Sequence, residues 1–375
     1  MSLKVLFVSE ADGWTGGTAQ LLALAGGLRR RGWEVLLACR PDSGLSRHAG
    51  RADLETIPLA MREDYDLFSA LALARLIERR GVALVHAHHN RAHAVCLLAK
   101  AWLRLRGRKG PVLLVSRRVS FRPGRDPFSR WKYRSRLIDR FVAVAEAVKQ
   151  VLVEAGVPAG RVRVIRSGVD LSRFSPRRAD DSEKRALGLP VGVPLIGKIA
   201  NASPWKGQDV LLKAASLLVS RGCPAHFVLA GRDTDGPWVA AQTARLGLEG
   251  RVARLGLRDD VPKLLACLDL SVNAAVRGEG LSGALRESLA MGVPVVASDV
   301  AGNRELLQDG LGGWLFEAGK AEALAERIEW ALAHPEEARA AADAWRSRAL
   351  PDFTLERTIE RTDALYRELL ESRTS

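Results

Sequence analysis

The stretch that decides the fold runs from Arg277 to Ala297 and reads RGEGLSGALRESLAMGVPVVA. It sets Glu279 in a glycine-rich turn and a second carboxylate, Glu287, eight residues on. Gly283 to Ala290 has the spacing of the first turns of a helix, and Pro294 to Ala297 that of a buried strand. A loop entering a helix presents unpaired N–H groups and the positive end of the helix dipole, which suits a diphosphate. Carboxylates beside phosphate alone would repel it. They make sense as acceptors for hydroxyl groups, which sugars offer, so the combination points to a nucleotide-sugar pocket. The plainer reading is an amphipathic helix that carries two surface glutamates.

Length and composition set the frame. A chain of 375 residues has room for about two domains, each with its own core. Hydrophobic content of 47% and charged content of 27% are ordinary for a globular protein. No apolar run approaches the ~20 residues of a membrane span, and MSLKVLFVSE reads as a strand, not a signal peptide. Cys39, Cys96, Cys223 and Cys267 lack metal-ligand spacing and are expected to be reduced thiols of a cytosolic protein.

The net charge of +14 is concentrated. Leu98 to Arg140 holds fourteen Lys and Arg against two Asp, a local +12 that leaves only +2 for the rest of the chain. Arg117, Arg118 and Arg122 lie in a long loop after the strand Val112–Ser116. Phe128, Trp131 and Tyr133 then alternate with Arg130, Lys132, Arg134 and Arg136. Such a segment is either a solvated helix packed by its aromatics or a surface for an anionic partner, a lipid headgroup or a phosphorylated glycolipid.

Two further constellations belong to the first half. Leu3 to Ser9 reads as a buried strand, followed by Gly13, Gly16 and Gly17 and then by a helix face at Leu21, Leu24, Ala25 and Leu28. Strand, glycine loop and helix is a geometry for approaching phosphate, although the spacing is not G-x-G-x-x-G. The strand Val82–Val85 ends in His86-Ala87-His88-His89, where ligands bind in open α/β sheets. No further ligand completes a zinc site, so metal binding is not expected there.

Taken together, nearly the whole chain resembles the retaining glycosyltransferases of the GT-B type, family 4 (glycosyltransferase group 1). That family includes lipopolysaccharide core and phosphatidylinositol mannosyl transferases. The resemblance implies an α/β fold of two Rossmann-like domains facing across a cleft. Residues 1–176 would form an acceptor-binding domain joined by a returning helix at about 355–375, and residues 177–354 a nucleotide-sugar-binding domain, with a linker from Phe174 to about Arg185. It further implies that Glu279 contacts the donor sugar and Glu287 the nucleotide ribose. Gly16 and Gly17 would lie against the donor. His88 would face the donor sugar, with His86 structural. Lys198 and Lys206, with the helix N-terminus at Leu281, Ser282 and Gly283, would hold the leaving diphosphate.

Several positions depart from the family pattern. Its Glu-Gly-Phe-Gly-Leu is here Glu279-Gly280-Leu281-Ser282-Gly283, its first diphosphate arginine is Lys198, and arginines replace a histidine-containing loop at Arg117 and Arg118. The chain is read as lacking the Asp-x-Asp metal motif of other glycosyltransferases, so a metal-independent reaction without cofactor is expected. The expected partners are a nucleotide-sugar donor, an anionic glycolipid or phosphorylated glycan acceptor, and an anionic membrane at its cytoplasmic face. A nucleotide-sugar epimerase on the same plan is the main rival. Nucleic-acid binding would explain the charge alone, and no motif for it is present.

Overall fold

Parallel strands covered by helices on both faces are apolar throughout, not alternating, and Lys4–Ser9 (β1) is such a strand, buried along its length after Lys4. Beside it run Glu34–Cys39 (β2), Glu55–Pro58 (β3), Leu84–His88 (β4), Val112–Arg117 (β5), Arg140–Ala143 (β6) and Val162–Val164 (β7). All pair in parallel, in the order β3-β2-β1-β4-β5-β6-β7. A second parallel sheet is built from Leu195–Ile199 (β8), His226–Ala230 (β9), Val252–Arg254 (β10), Leu270–Asn273 (β11), Val295–Ser298 (β12) and Gly313–Phe316 (β13). Its order is β10-β9-β8-β11-β12-β13. These elements come from a computed structural model that describes residues 3–307 and 311–374. Strand order reverses beside β1 in one sheet and beside β8 in the other. In open α/β sheets the crevice at such a reversal, at the carboxyl ends of the strands, is where ligands bind.

The chain divides into two units, Met1–Gly168 with Leu355–Ser375, and Val169–Thr354. Residues 169–176, expected in the first domain, belong to the second unit. Phe174 is 6% exposed within the core formed by Leu189, Leu195, Val228 and Leu264. The expected linker is likewise folded: Asp181–Ala186 is a helix with a capping box between Asp180 and Glu183, and the Ala179 amide donates to the Ala266 carbonyl.

The last helix, Leu355–Thr374, packs on the first unit through Ile359, Leu365, Tyr366 and Leu369. Trp33 Nε1 donates to Asp363 Oδ1 at 2.8 Å. Strand β3 and the helix Gly44–Arg51 before it were not anticipated. β3 is a half-exposed edge strand ending in Pro58, and an edge strand lacks the continuous apolar run that marks its central neighbours. Among the described residues no helix is long and apolar enough to cross a membrane.

Candidate active site

In the second unit, Lys198 lies in β8 at the strand reversal, 2% exposed. Its ammonium has no hydrogen-bond or ion-pair partner among the described residues. Burial, with Lys206 adding to it, drives its pKa down from 10.5 to about 7, against the pull of Glu279 and Asp209. An ammonium so placed is costly unless an anion arrives.

Lys206 is delivered by the turn that enters the helix Gln208–Ser220. Gly207 there has φ of 70°, and a side chain on it would run into the Ala274 carbonyl, so only glycine fits. Lys206 Nζ meets Glu279 Oε2 at 2.7 Å. The backbone at Glu279 and Gly280 presses against Gly302, where any side chain would collide with both carbonyls. Gly302 lies in the first turn of the helix Ala301–Leu306.

The side chains of Leu281 and Ser282 are engaged within the fold. Leu281 is a buried apolar anchor at 8% exposure. Ser282 Oγ caps the helix Gly283–Ala290 through the Leu285 amide and accepts from Asn273 Nδ2 at 2.9 Å, so the hydroxyl is already committed. What remains for an anion is backbone, the Gly283 and Ala284 amides in the first turn of the helix. The carboxylate of Glu287, on the same helix, has no hydrogen-bond partner among the described residues. Burial pushes its carboxyl pKa up, opposed by Arg286 and Arg173.

Arg286 was missed by the sequence reading. It is 2% exposed, and its Nε donates to the Ser282 carbonyl at 3.2 Å. Burial lowers its pKa to about 10, while Glu287 and Glu279 hold it up. The available signal was its place on the buried face between Leu285 and Leu289. The Asp-x-Asp spacing was also passed over: Asp233-Thr234-Asp235 follows β9. Both aspartates are exposed. Thr234 is buried and ties the turn together, donating to the Gly231 carbonyl at 2.8 Å and accepting from the Gly256 amide at 3.1 Å. Among the described residues no group of three or more His, Cys, Asp or Glu is arranged to hold a metal ion.

In the first unit, Gly16 and Gly17 open the helix Gly16–Arg30, with Thr15 and Thr18 forming its capping box. His86 sits on β4, the central strand of the sheet, with both ring nitrogens engaged, one with Tyr366 Oη at 2.5 Å and the other with Ser116 Oγ at 2.8 Å. His88, expected at the ligand, is fully buried against Phe7 and His86. Neither of its nitrogens has a partner, and burial puts its pKa well below the usual histidine value. His89 is the ring that turns to the glycine loop, because its φ of 87° swings the chain as β4 enters the next helix. His89 Nδ1 lies 2.9 Å from Ser9 Oγ, and a side chain on Gly17 would touch His89 Nε2 and Arg118.

The basic segment needs the largest correction. Lys132 is 2% exposed, and its ammonium pairs with Asp64 at 2.8 Å and Asn90 Oδ1 at 3.0 Å, so it belongs to the interior and not to a binding surface. Lys100 is buried against Asp139 in the same way. Arg117 donates to Tyr133 Oη and to the Phe121 carbonyl. Arg118 stands by the histidines and donates to Ser167 Oγ at 3.1 Å. Arg122, Arg130, Arg134 and Arg136 are the members of the expected set that are exposed.

A parallel sheet whose reversal point carries two lysines, two glutamates and a helix N-terminus is the arrangement in which an open α/β enzyme can receive an anionic ligand. Residues 193–334 match the family described as Glycosyl transferases group 1, and residues 14–173 that described as Glycosyltransferase Family 4. The two matches span most of both units, and the chain belongs to this glycosyltransferase family. It is 29% identical over 305 residues to the lipopolysaccharide core biosynthesis mannosyltransferase LpcC of Rhizobium leguminosarum, covering 80% of this chain and 82% of that one. Its fold is GT-B. A glycosyltransferase from Rickettsia africae superposes with a TM-score of 0.86 at 22% identity, covering 98% and 99% of the two chains. HepE of Anabaena, solved with UDP-glucose, superposes with a TM-score of 0.83 at 22% identity, covering 97% and 99%.

Proposed function

We propose that this glycosyltransferase takes its sugar from a nucleoside-diphosphate donor held by the second unit, and that the reaction retains anomeric configuration and needs no metal. The observation that carries this reading is Lys198, a buried ammonium without a counter-ion, beside Lys206 at the strand reversal. A diphosphate would supply the missing anion. Lys206 would then exchange Glu279 for phosphate, and the released Glu279 would accept hydroxyls of the donor sugar. The Gly283 and Ala284 amides add to the anion site, and Glu287 offers an acceptor to the ribose. As negative charge grows on the leaving diphosphate, these preorganised groups stabilise it in place of a metal ion. Glu279, paired with Lys206, is no free nucleophile, which supports front-face transfer over a covalent sugar–enzyme intermediate.

The acceptor is proposed to be a lipid-linked or lipopolysaccharide-core glycan at the cytoplasmic face of the membrane, bound by the first unit. The exposed arginines Arg122, Arg130, Arg134 and Arg136 and the name of the LpcC relative support it. A donor panel scored by release of nucleoside diphosphate tests the core of the proposal, starting with UDP-glucose and a mannose nucleotide, each with and without EDTA. Turnover that survives EDTA, with product of the donor's anomeric configuration by NMR, is the expected result. Loss of turnover on chelation, restored by a divalent cation, would refute the metal-free reading and turn attention to Asp233 and Asp235.

A further inference from the structure

The helix Pro127–Arg134 has three distinct sides. Lys132 faces inward to Asp64 and Asn90. Phe128 and Trp131 form an aromatic ridge with Tyr65, whose ring lies 4.2 Å from Phe128. The ridge adjoins Leu67 and Phe68, which are 60% and 89% exposed. The third side, with the loop before it and the end of the helix Glu146–Glu154, encloses a cavity of about 340 Å³. Arg122, Arg125, Arg130 and Arg134 line it, with Glu154 as the one carboxylate on its wall.

The cavity is built, not merely charged. Arg117 ties the loop to the helix from beneath through the Phe121 carbonyl and Tyr133 Oη. Arg134 lies against Gly156 and is held by its Nε, which donates to the Ala155 carbonyl at 3.1 Å, leaving both terminal nitrogens of its fork unused. Glu154 pairs with Arg122 at 3.6 Å. The guanidinium groups of Arg125 and Arg130 have no hydrogen-bond or ion-pair partner among the described residues. Asp126, the nearest other acid in sequence, is spent on capping the helix at the Ser129 amide. Four planar forks against one carboxylate are the chemistry that selects a phosphate group over a simple anion. Because the helix Glu146–Glu154 runs back from the carboxyl end of β6, its last turn lies toward the amino ends of the strands. The glycine loop and His89 sit at the carboxyl ends.

We propose that this arginine-lined cavity is a phosphate-binding site separate from the transfer site, and that the aromatic ridge beside it fits it to the phosphate of a lipid headgroup. The proposal rests on the acceptor reading only for what carries the phosphate. Hydrogen–deuterium exchange on the full chain tests it with two probes, inorganic phosphate in solution and vesicles of phosphatidic acid in phosphatidylcholine. Phosphate should protect residues 119–134 and 148–156. Vesicles should protect the same segments and also 65–68 if a headgroup is the natural ligand. Protection by phosphate without vesicle binding keeps the site and assigns it to a soluble phosphate. Both guanidiniums being exposed, the double variant Arg125→Gln, Arg130→Gln should keep its circular dichroism and lose about tenfold or more in phosphate affinity. Protection confined to 198–207 and 283–287, or equal protection in the double variant, overturns the proposal. Either result leaves the donor panel, and the function it tests, untouched.

Discussion

Lys132 and Lys198 are equally buried, each at 2% exposure, and they do opposite things. In the first unit, Lys132 meets Asp64 and Asn90, and Lys100 meets Asp139. Their charges are consumed in holding loops and helices to the sheet. In the second unit, Lys198 meets no carboxylate among the described residues, and Glu279, whose charge acts on it, is held by Lys206. A buried cation with its counter-ion is structure. One without carries an uncompensated desolvation cost, which an anion would relieve. The difference also shows that a count of basic residues measures a segment's formal charge and not its field, since part of the +12 of the basic segment never reaches the surface.

The sharpest way to break this contrast is to remove both charges. Lys132→Met should destabilise the protein by about 3 kcal/mol in urea unfolding, because Asp64 loses the cation that compensates it. Lys198→Met should do the reverse, stabilising the ligand-free protein by about 1–3 kcal/mol below pH 7. The two variants moving in the same direction would end the comparison. Next in size, Lys206→Ala should lower turnover by ~100-fold at saturating donor, the scale for losing one preorganised electrostatic partner. Unchanged turnover would place the diphosphate elsewhere.

Glu287→Gln should weaken nucleoside diphosphate binding by about 1.5 kcal/mol, since a charged acceptor becomes a neutral one. Wild-type affinity by calorimetry would remove Glu287 from the ribose. The smallest effect, taken per pH unit, is the pH dependence of donor binding. The folded pKa of Lys198 lies near 7, below its ordinary 10.5, so its charge burdens the empty protein below pH 7, and the burden lifts as pH rises from 7 toward 10.5. A bound diphosphate reverses that shift. Affinity should therefore hold steady below about pH 7 and fall by up to about tenfold per unit above it, with proton uptake seen by calorimetry in buffers of different ionisation enthalpy. Lys198→Arg, always protonated, should flatten the profile; a profile already flat in the wild type would argue against an unpaired Lys198.

Where sequence reading succeeded, a periodic or motif-bound signal reported directly on a physical need. Continuous apolar runs gave the central strands. The glycine–glutamate turn gave the helix Gly283–Ala290. Lys198 stood out because an ammonium has no reason to sit in an apolar strand. Failures fell where the deciding fact was a partner far along the chain. Lys132 looked like a surface cation because Asp64 is sixty-eight residues away. The turn of His89 toward the glycine loop goes with its φ of 87°, which residue order does not display. Arg286 was passed over because an arginine beside a glutamate on a helix ordinarily faces water.

The helix Leu355–Thr374 has a consequence for how the protein is made. It completes the first unit, with Asp363 accepting from Trp33 and Tyr366 meeting His86, yet it leaves the ribosome only after the whole of the second unit. The second unit is continuous in sequence, so it can close while the first still waits with Leu21, Leu24 and Leu28 uncovered. The order of maturation is thus the reverse of the order of synthesis. A nascent chain stalled after Thr354 would carry a finished second unit and an open apolar groove, the kind of surface that holding chaperones bind. Any chimaera that exchanges the first unit must bring residues 355–374 with it, or it inherits that groove permanently.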